Sequence, residues 1–328
     1  MDGNRRRMLA IGTLAVAWPR GALPASSGRT KRVVLQREFG KKIRARIAGW
    51  FAEEGFVEGQ GLVLEYVDLE QPDAAENERR ARAIVEGRPD AIVVPGGETI
   101  ALFKRLTTQI PVVFWSFGID PVKAGLVESY HRPGGNITGT TNMGTERIGK
   151  LWEFLRALRP DAQRFGMMWT DARLGEPLAQ HTRAASREVS ARMGVECVEI
   201  VVAADAGFPE VEKAIQASGA QVLTVLSGLS RPTSIELTGF LERSRIPAGW
   251  ETLDAVRQGG LLYHMGSLEE AFREAVRMVA RILRGASPGQ IPVQEVTRFE
   301  LAINLRTAQA MGLAVPDAIR LQATQVFD

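Results

Sequence analysis

Residues 110–141, IPVVFWSFGIDPVKAGLVESYHRPGGNITGTT, contain the pattern that decides the fold. After Ile-Pro comes an apolar run, residues 112–115, which is too short for an amphipathic helix. Such a run is typical of a strand buried on both faces, as in a parallel sheet. In an open parallel sheet, ligands bind beyond the carboxyl ends of the strands. The loop at residues 116–120 is therefore a candidate ligand-binding loop, and residues 134–141 are a candidate route out of the domain.

Strands alternate with helices on the amino-terminal side of this segment. Apolar runs at residues 32–35, 62–67 and 91–94 predict strands. Residues 41–54 and 99–108 carry apolar side chains at helical spacing. This alternation predicts an α/β fold with a doubly wound parallel sheet.

The same plan returns in the second half of the chain. Residues 91–115 and 222–250 each run strand, glycine-containing loop, helix, Ile-Pro, strand and tryptophan. Their residue identity is low, so this is a similarity of architecture and not a sequence repeat. It predicts two lobes with the same topology. Later, Ser267 and Glu270 have the spacing of a capping box, in which Glu270 reaches back to the helix start.

The charge of the chain gives no argument for nucleic-acid binding. The formal net charge is +3, from 41 basic and 38 acidic residues. Without residues 1–25 the chain has 37 of each, so the basic balance belongs to the amino-terminal leader. No short window combines dense Lys and Arg with interleaved aromatic residues.

The leader has the pattern of an export signal. Three consecutive arginines, residues 5–7, precede a short apolar run and then small residues, with cleavage plausible after Ala25 or Ser27. The apolar run is too short to span a bilayer. Consecutive arginines before Met-Leu, together with Arg20 beyond the apolar run, resemble a twin-arginine signal. We expect export to the periplasm, the alternative being an uncleaved amino terminus.

The sequence contains no motif for catalysis, metal binding or a nucleotide cofactor. Its single cysteine, Cys197, excludes an intramolecular disulfide and is typical of a small buried residue in a strand. The three histidines lack metal-ligand spacing, and neither phosphate-loop nor dinucleotide glycine motifs occur. We therefore expect no catalytic residue, no metal and no cofactor.

Aromatic residues stand at or near the carboxyl ends of several predicted strands. Side chains at these positions face the expected ligand cleft and can converge on a flat ligand. The alternative is that each ring covers the core beneath its loop, and the sequence leaves both interpretations open. The residues concerned are Trp115, Phe117, Trp169, Trp250 and Tyr263.

Polar loops after the strands supply further candidate ligand contacts. Gly97, Glu98 and Thr99 precede a predicted helix, and the free N–H groups at its start would attract a ligand carboxylate. The negative charge of Glu98 instead favours a ligand amine, or Glu98 only caps the helix. Ser227 and Gly228 occupy the same place in the second half. Glu251 is a candidate partner for a ligand amine, and a solvated loop acid is an equal alternative. His264 is a candidate ligand contact, and a buried structural histidine is an equal alternative. The remaining candidate contacts are Ser116, Thr170, Glu251 and His264.

Several motifs along the chain form a set with a known counterpart. They are Gly-Phe-Val-Glu-Gly-Gln at 55–60, Asp-Pro-Val at 120–122, Arg-Pro-Gly-Gly-Asn-Ile-Thr-Gly at 132–139 and Phe-Glu-Leu-Ala-Ile-Asn-Leu at 299–305. With these motifs the sequence resembles the tryptophan/tyrosine-type periplasmic substrate-binding proteins of ABC transporters, over most of the chain after the leader. The loop at residues 36–40 is shorter than expected for that family, and residues 170–173, Thr-Asp-Ala-Arg, stand where members commonly carry Asn- and Pro-rich segments. Ligand identity is therefore the least transferable feature.

The resemblance implies a type I periplasmic binding fold, with two Rossmann-like lobes joined by three crossovers and a ligand held between them. The crossovers are expected near residues 139–145, 264–266 and 293–299, where glycines such as Gly139 would supply backbone freedom. The expected division is an export signal at 1–27, a first lobe at 28–140 plus 266–292, and a second lobe at 141–265 plus 293–328.

The resemblance also implies a function. We expect an exported, non-enzymatic, monomeric protein that captures a small organic ligand, such as an amino acid or another carboxylate. It would deliver this ligand to an ABC permease and its ATPase, with no membrane insertion after signal cleavage. Two alternatives stay open: an enzyme of doubly wound fold with a site of scattered residues, and a ligand-sensing subunit for a membrane receptor.

Overall fold

A computed structural model describes residues 29–37, 39–69, 74–96, 98–117, 120–142, 144–171, 176–226 and 228–328. The predicted export signal at residues 1–27 lies outside these described residues. None of the described helices is long and apolar enough to cross a membrane.

Within the described residues the chain forms thirteen strands and eleven α-helices. The strands are β1 (Lys31–Gln36), β2 (Leu62–Val67), β3 (Ala91–Val94), β4 (Val112–Phe117), β5 (Ile137–Asn142), β6 (Arg164–Thr170), β7 (Glu196–Val202), β8 (Val222–Val225), β9 (Ala248–Trp250), β10 (Leu262–Gly266), β11 (Gln294–Glu295), β12 (Phe299–Asn304) and β13 (Gln325–Phe327). The helices are α1 (Lys41–Glu53), α2 (Ala74–Glu86), α3 (Glu98–Leu106), α4 (Gly144–Leu158), α5 (Glu176–Met193), α6 (Phe208–Ser218), α7 (Arg231–Arg243), α8 (Leu253–Arg257), α9 (Leu268–Leu283), α10 (Leu305–Ala310) and α11 (Asp317–Gln322).

The strands form two separate sheets with the same internal order. The first sheet has the order β11-β5-β4-β3-β1-β2, and all its pairs are parallel. The second has the order β13-β12-β10-β9-β8-β6-β7. In the second sheet only β10 and β12 pair antiparallel among the described strands. The order 5-4-3-1-2 of the first lobe thus recurs as 10-9-8-6-7 in the second, as the architectural similarity predicted.

Helices cover both faces of the first sheet, because its strands are apolar on both sides. On one face, Phe51 of α1 and Phe272 of α9 pack on the sheet, and the Phe272 and Trp115 ring centroids are 5.0 Å apart. On the other face, Ile84 of α2 and Phe103 of α3 are buried. This two-sided burial explains the unbroken apolar runs of the strands.

The second lobe has its own core. Trp152 of α4 is fully buried, with its ring centroid 5.0 Å from that of Phe165. Its indole N–H donates to Thr224 Oγ1 at 3.0 Å, so the polar atoms of both residues are paired inside the lobe.

Three connections join the lobes. Helix α4 starts two residues after β5 ends in the first sheet, and packs in the core of the second lobe. Helix α9 starts two residues after β10 ends in the second sheet, and packs in the first lobe. Residues 296–298 lead from β11 of the first sheet to β12 of the second. The predicted two-lobed fold with three crossovers is confirmed, whereas the exact domain limits stay a prediction.

Only half of the predicted capping box at α9 is present. The Ser267 side chain accepts the Glu270 N–H, as predicted. The Glu270 carboxylate instead accepts the backbone N–H groups of Thr297 and Arg298, at 3.3 and 2.8 Å, and the Thr297 hydroxyl at 2.9 Å. The Ser267 N–H donates to Arg298 O at 2.7 Å. These bonds join the second crossover to the third, a contact between distant segments that local spacing does not reveal.

Gly139 serves close packing rather than backbone freedom. A Cβ at this position would lie 2.1 Å from the carbonyl oxygen of Phe114 and 2.5 Å from its ring. Its φ is not in the left-handed region, whereas Gly134 has a φ of +91°. The expectation that Gly139 gives freedom to the crossover is therefore wrong, because the pairing of β4 with β5 leaves no space for a side chain.

Candidate functional site

The carboxyl ends of both sheets border one junction. The first crossover leaves β5 at its carboxyl end and enters the second lobe, and the second crossover leaves β10 at its carboxyl end and enters the first. Because β1 to β5 are parallel, and β6 to β10 are parallel, the ends of all these strands lie on the same side of their lobes as the crossovers. We call the space between these strand ends the cleft, and it is where such folds bind ligands.

Gln36, the last residue of β1, is a polar group that the sequence interpretation missed. It is 1% exposed, and neither its amide nitrogen nor its amide oxygen forms a hydrogen bond with a described residue. The sequence signal was a polar residue directly after Val33, Val34 and Leu35, which are buried. It was interpreted as the start of a loop, although the strand extends through it.

Thr170 ends β6, the first strand of the second lobe. It is 1% exposed, and its hydroxyl has no hydrogen-bond partner among the described residues. The neighbouring Trp169 is buried, with the Arg183 guanidinium carbon 5.8 Å from its ring centroid. Arg183 itself donates three hydrogen bonds to the Glu199 carboxylate. Ligand contact stays a prediction for both Trp169 and Thr170, and the unpartnered hydroxyl supports it for Thr170.

Trp250 lies in the hydrophobic core of the second lobe. It is 2% exposed, and a Cβ at Gly260 would lie 2.7 Å from its indole nitrogen. The indole N–H has no hydrogen-bond partner in the described part of the chain. Glu251 follows it, half-buried, and its N–H donates to Val225 O at 3.2 Å. The predicted ligand contacts of Trp250 and Glu251 remain predictions, and the packing of Trp250 favours a core role.

His264 is buried between aromatic rings next to the second crossover. Its ring stacks on Phe299 at 5.4 Å and meets the edge of Phe154 at 5.3 Å. Burial, the Arg147 guanidinium and the Lys150 ammonium lower the pKa of His264 to about 4. The imidazole is therefore neutral at physiological pH. This environment is that of a structural residue, and its ligand contact stays a prediction.

Arg147 places a buried positive charge beside the first crossover. It lies in the first turn of α4, is 6% exposed, and its guanidinium Nη1 is 3.2 Å from Met265 Sδ. Burial and the negative charges of Glu300 and Glu251 raise the pKa of Tyr263 to about 12. The positive charge of Arg147 opposes this shift, because it lowers the Tyr263 pKa. Sequence reasoning missed Arg147 because helical spacing alone does not distinguish a buried arginine from a surface one.

The other predicted contacts are placed only in part. Gly97 and Ser227 lie outside the described residues. Glu98 begins α3, with a half-buried Thr99 after it, and Gly228 is exposed before α7. Ser116 and Phe117 end β4, where their backbones pair with Thr141 and Asn142 of β5. Their positions at the strand ends keep them as predicted contacts.

A direct contact bridges the two lobes at the loop after β4. The Asp120 N–H of the first lobe donates to Nε2 of His181, on α5 of the second lobe, at 3.4 Å. The Asp120 carboxylate accepts the N–H groups of Val122 and Lys123 at 3.0 and 3.1 Å, which fixes the loop. The sequence does not reveal this contact, since spacing within α5 contains no information about the other lobe.

Metal binding and cysteine chemistry gain no support from the described part of the chain. No group of three or more His, Cys, Asp or Glu side chains that could hold a metal ion occurs among the described residues. Cys197 is half-buried, and burial raises the pKa of its thiol to about 11. The thiol is therefore protonated at neutral pH and a poor nucleophile.

Comparison with known proteins agrees with this architecture. Residues 42–327 match the family described as ABC transporter substrate binding protein. A tyrosine-binding protein of Clostridioides difficile (strain R20291) is 24% identical over 264 residues, which are 80% of this chain and 74% of that protein.

Two solved structures have the same fold. An ABC domain from Streptococcus pneumonia in complex with L-Trp has a TM-score of 0.77 and 20% identity, over 92% of this chain and 100% of that one. A ligand-free, open substrate-binding protein with adhesive properties from Clostridium difficile has a TM-score of 0.68 and 21% identity, over 91% and 99%.

The family match covers most of the chain and includes both lobes and all three crossovers. It agrees with the motifs at residues 55–60, 120–122, 132–139 and 299–305. The chain belongs to the ABC transporter substrate binding protein family.

Proposed function

We propose that this protein captures an aromatic α-amino acid in the cleft and presents it to an ABC permease. The observation that carries the proposal is the junction itself, where parallel strands of both sheets end and from which the crossovers leave. A ligand at this place contacts both lobes only when they approach each other. It therefore stabilises the closed state by its differential affinity. No chemical step is required of the protein.

The ligand class is taken from relatives and from the character of the cleft. One relative is named a tyrosine-binding protein, and one structure of the same fold contains L-Trp. The strand ends of this chain carry aromatic residues, and the buried Arg147 lies in the first turn of α4, beside the first crossover. A flat apolar side chain with a carboxylate matches such a mixed surface.

Mass spectrometry of ligand released from the purified protein tests the ligand class. Calorimetry against L-tryptophan, L-tyrosine and a panel of aliphatic amino acids, sugars and metal ions then ranks the affinities. We expect tight, one-to-one binding of an aromatic amino acid and its recovery unchanged after long incubation. Binding of only sugars or metal ions, or conversion of the ligand, contradicts the proposal.

Export and delivery form the second part of the proposal. Residues 1–27 would direct export to the periplasm by a twin-arginine-type signal, and the mature protein would dock as a monomer on the permease of an ABC transporter. A reporter that is active only outside the cytoplasm, fused after residue 27, tests export. We expect replacement of Arg5, Arg6 and Arg7 by lysine to abolish it. Undiminished export of that variant contradicts the twin-arginine route.

A further inference from the structure

Two buried polar side chains stand at matching places in the two lobes. Gln36 is the last residue of β1 and pairs with Val67, the last residue of β2. Thr170 is the last residue of β6 and pairs with Val202, the last residue of β7. β1 and β6 occupy the same position in the order of their sheets. Each residue therefore lies at the carboxyl end of the first strand of its lobe, on the cleft side.

Both side chains lack the partners that buried polar groups normally have. Each is 1% exposed, and the Gln36 amide and the Thr170 hydroxyl form no hydrogen bond with a described residue. Buried polar groups in folded proteins are nearly always paired, because an unpaired one keeps its full desolvation cost. A polar group left without a protein partner at a ligand cleft is accounted for when the ligand supplies the partner.

Other buried threonines of the same sheets show the usual pairing. The Thr224 hydroxyl accepts the indole N–H of Trp152 at 3.0 Å, and the Thr138 hydroxyl donates to Ile291 O at 2.7 Å. Both residues lie before the last residue of their strands. The lack of partners at Gln36 and Thr170 is therefore a property of their place and not of buried polar residues in this fold.

Three other unpaired buried atoms have local explanations. The Trp250 indole nitrogen faces Gly260 in the core, and Arg164, whose Nε is unpaired, uses its Nη2 to bind Glu196 at 2.8 Å. His264 Nδ1 belongs to a ring enclosed by Phe299 and Phe154. Gln36 and Thr170 differ from these residues because each ends the first strand of its lobe, on the cleft side.

The free atoms define the chemistry of the group they bind. The glutamine amide offers two N–H donors and one oxygen acceptor, and the threonine hydroxyl donates one hydrogen and accepts others. An α-amino acid in its zwitterionic form presents a carboxylate, which accepts hydrogen bonds, beside an ammonium, which donates them. A plain carboxylate satisfies only the donors, and a plain amine satisfies only the acceptors.

We propose that Gln36 and Thr170 are specificity-determining residues that bind the α-amino and α-carboxylate groups of the ligand, one from each lobe. This inference rests on the proposed function, since it assigns the polar end of the same aromatic amino acid. Contact with both residues requires closure, so the pair also couples ligand recognition to the approach of the lobes. Both side chains are uncharged, so neither of them titrates at physiological pH.

Isosteric substitutions test the inference. Gln36→Leu and Thr170→Val remove the polar atoms with little change of shape, and Thr224→Val is the matched control in the second sheet. Affinity for L-tryptophan or L-tyrosine is measured by calorimetry, and stability without ligand by thermal unfolding. We expect each cleft variant to bind roughly tenfold to a hundredfold more weakly. Its stability without ligand should be equal or higher, because an unpaired buried group is removed.

The control should behave in the opposite way. Thr224→Val leaves the Trp152 N–H unpaired, so it should lower the unfolding temperature and keep the dissociation constant. If a cleft variant fails to fold, Gln36→Met and Thr170→Ser replace it, and Thr170→Ser should recover binding because it retains the hydroxyl. Cleft variants that lose stability but keep wild-type affinity overturn the inference.

Ligand analogues separate this inference from the proposed function. Against wild-type protein, the amine without a carboxylate and the acid without an ammonium should both bind more weakly than the amino acid. Against Gln36→Leu the penalty for losing the ligand group that Gln36 binds should shrink, since its partner is already gone. If the wild-type protein binds the amino acid and both cleft variants bind it equally well, the inference is wrong and the proposed function stands. A wild-type protein that binds no amino acid overturns the proposed function and this inference together.

Discussion

The two lobes share a strand order but differ in the residues at the ends of corresponding strands. The first strand ends in Gln36 in one lobe and in Thr170 in the other. The fourth strands both contain a tryptophan buried in the core of its own lobe, and the Trp115 ring packs against Phe272 of α9, whereas the Trp250 indole lies against Gly260. The comparison shows that topology follows from the alternation of strands and helices, while individual strand-end residues decide the chemistry of each lobe.

The largest effect is expected at Trp250. Because its ring is buried in the second lobe, Trp250→Ala should lower the free energy of unfolding by about 3–5 kcal/mol. Trp250→Phe should cost less, since it keeps most of the apolar volume. Urea denaturation measures both values. Retained stability with weakened ligand binding would instead make Trp250 a cleft residue, as its strand-end position suggested.

The second effect is acid destabilisation through His264. Its pKa of about 4 lies below the ordinary value of 6.5, so between these pH values the unfolded state takes up a proton that the folded state excludes. The free energy of unfolding should therefore fall as the pH is lowered through this window, by up to about 3 kcal/mol.

Replacing the histidine by another aromatic residue isolates this contribution. The variant His264→Phe keeps a ring that can stack on Phe299 and removes the titrating group. Denaturation at several pH values measures the difference between the two proteins, and the variant should lose less stability than wild type between pH 6.5 and 4. The same pH slope in wild type and variant would exclude His264 as the cause.

An intermediate effect is expected at the contact between the second and third crossovers. Glu270→Gln should lower the free energy of unfolding by about 1–2 kcal/mol, because its charge strengthens three hydrogen bonds to Thr297 and Arg298. Glu269→Gln is the matched control, since Glu269 forms an exposed ion pair with Arg46 and should cost less than about 1 kcal/mol. Equal losses in both variants would show that the crossover contact adds no stability.

The smallest effect is expected at the bridge between Asp120 and His181. His181→Leu removes one long hydrogen bond between the lobes, so the ligand should bind roughly twofold to tenfold more weakly, with stability nearly unchanged. His131→Leu, at an exposed histidine, is the control and should leave affinity unchanged. Small-angle scattering without ligand should show a more open average shape for His181→Leu. An unchanged shape and affinity would show that the bridge does not influence closure.

The sequence predicts most elements that lie between strong signals. Strands β2 and β3 are predicted with their observed bounds, and α1 to within one residue, because apolar runs and helical spacing mark them. The weaker elements α8, β10, β11, α11 and β13 are missed. At β10 the sequence indicates only a crossover near His264, since a strand in the middle of a sheet draws its stability from both neighbours and needs little pattern of its own.

The candidate site was less predictable than the fold. Position at a strand end was enough to select Thr170, but the same rule also selected Trp250, which the core encloses. Gln36 was missed because its role depends on burial and on the lack of a partner, and both are properties of the surroundings. Sequence spacing describes a single strand or helix, whereas the surroundings of a cleft residue are formed by several strands and helices.

The sequence by itself determined the two-lobed α/β class, the recurring strand order and the family motifs. The physical reason is that apolar periodicity and turn residues act over a few positions of the chain. Only the tertiary structure decided which polar groups are left unpaired, how Glu270 joins two crossovers, and that His181 reaches the other lobe. These outcomes depend on contacts between residues that are far apart in the chain, and local propensity does not determine them.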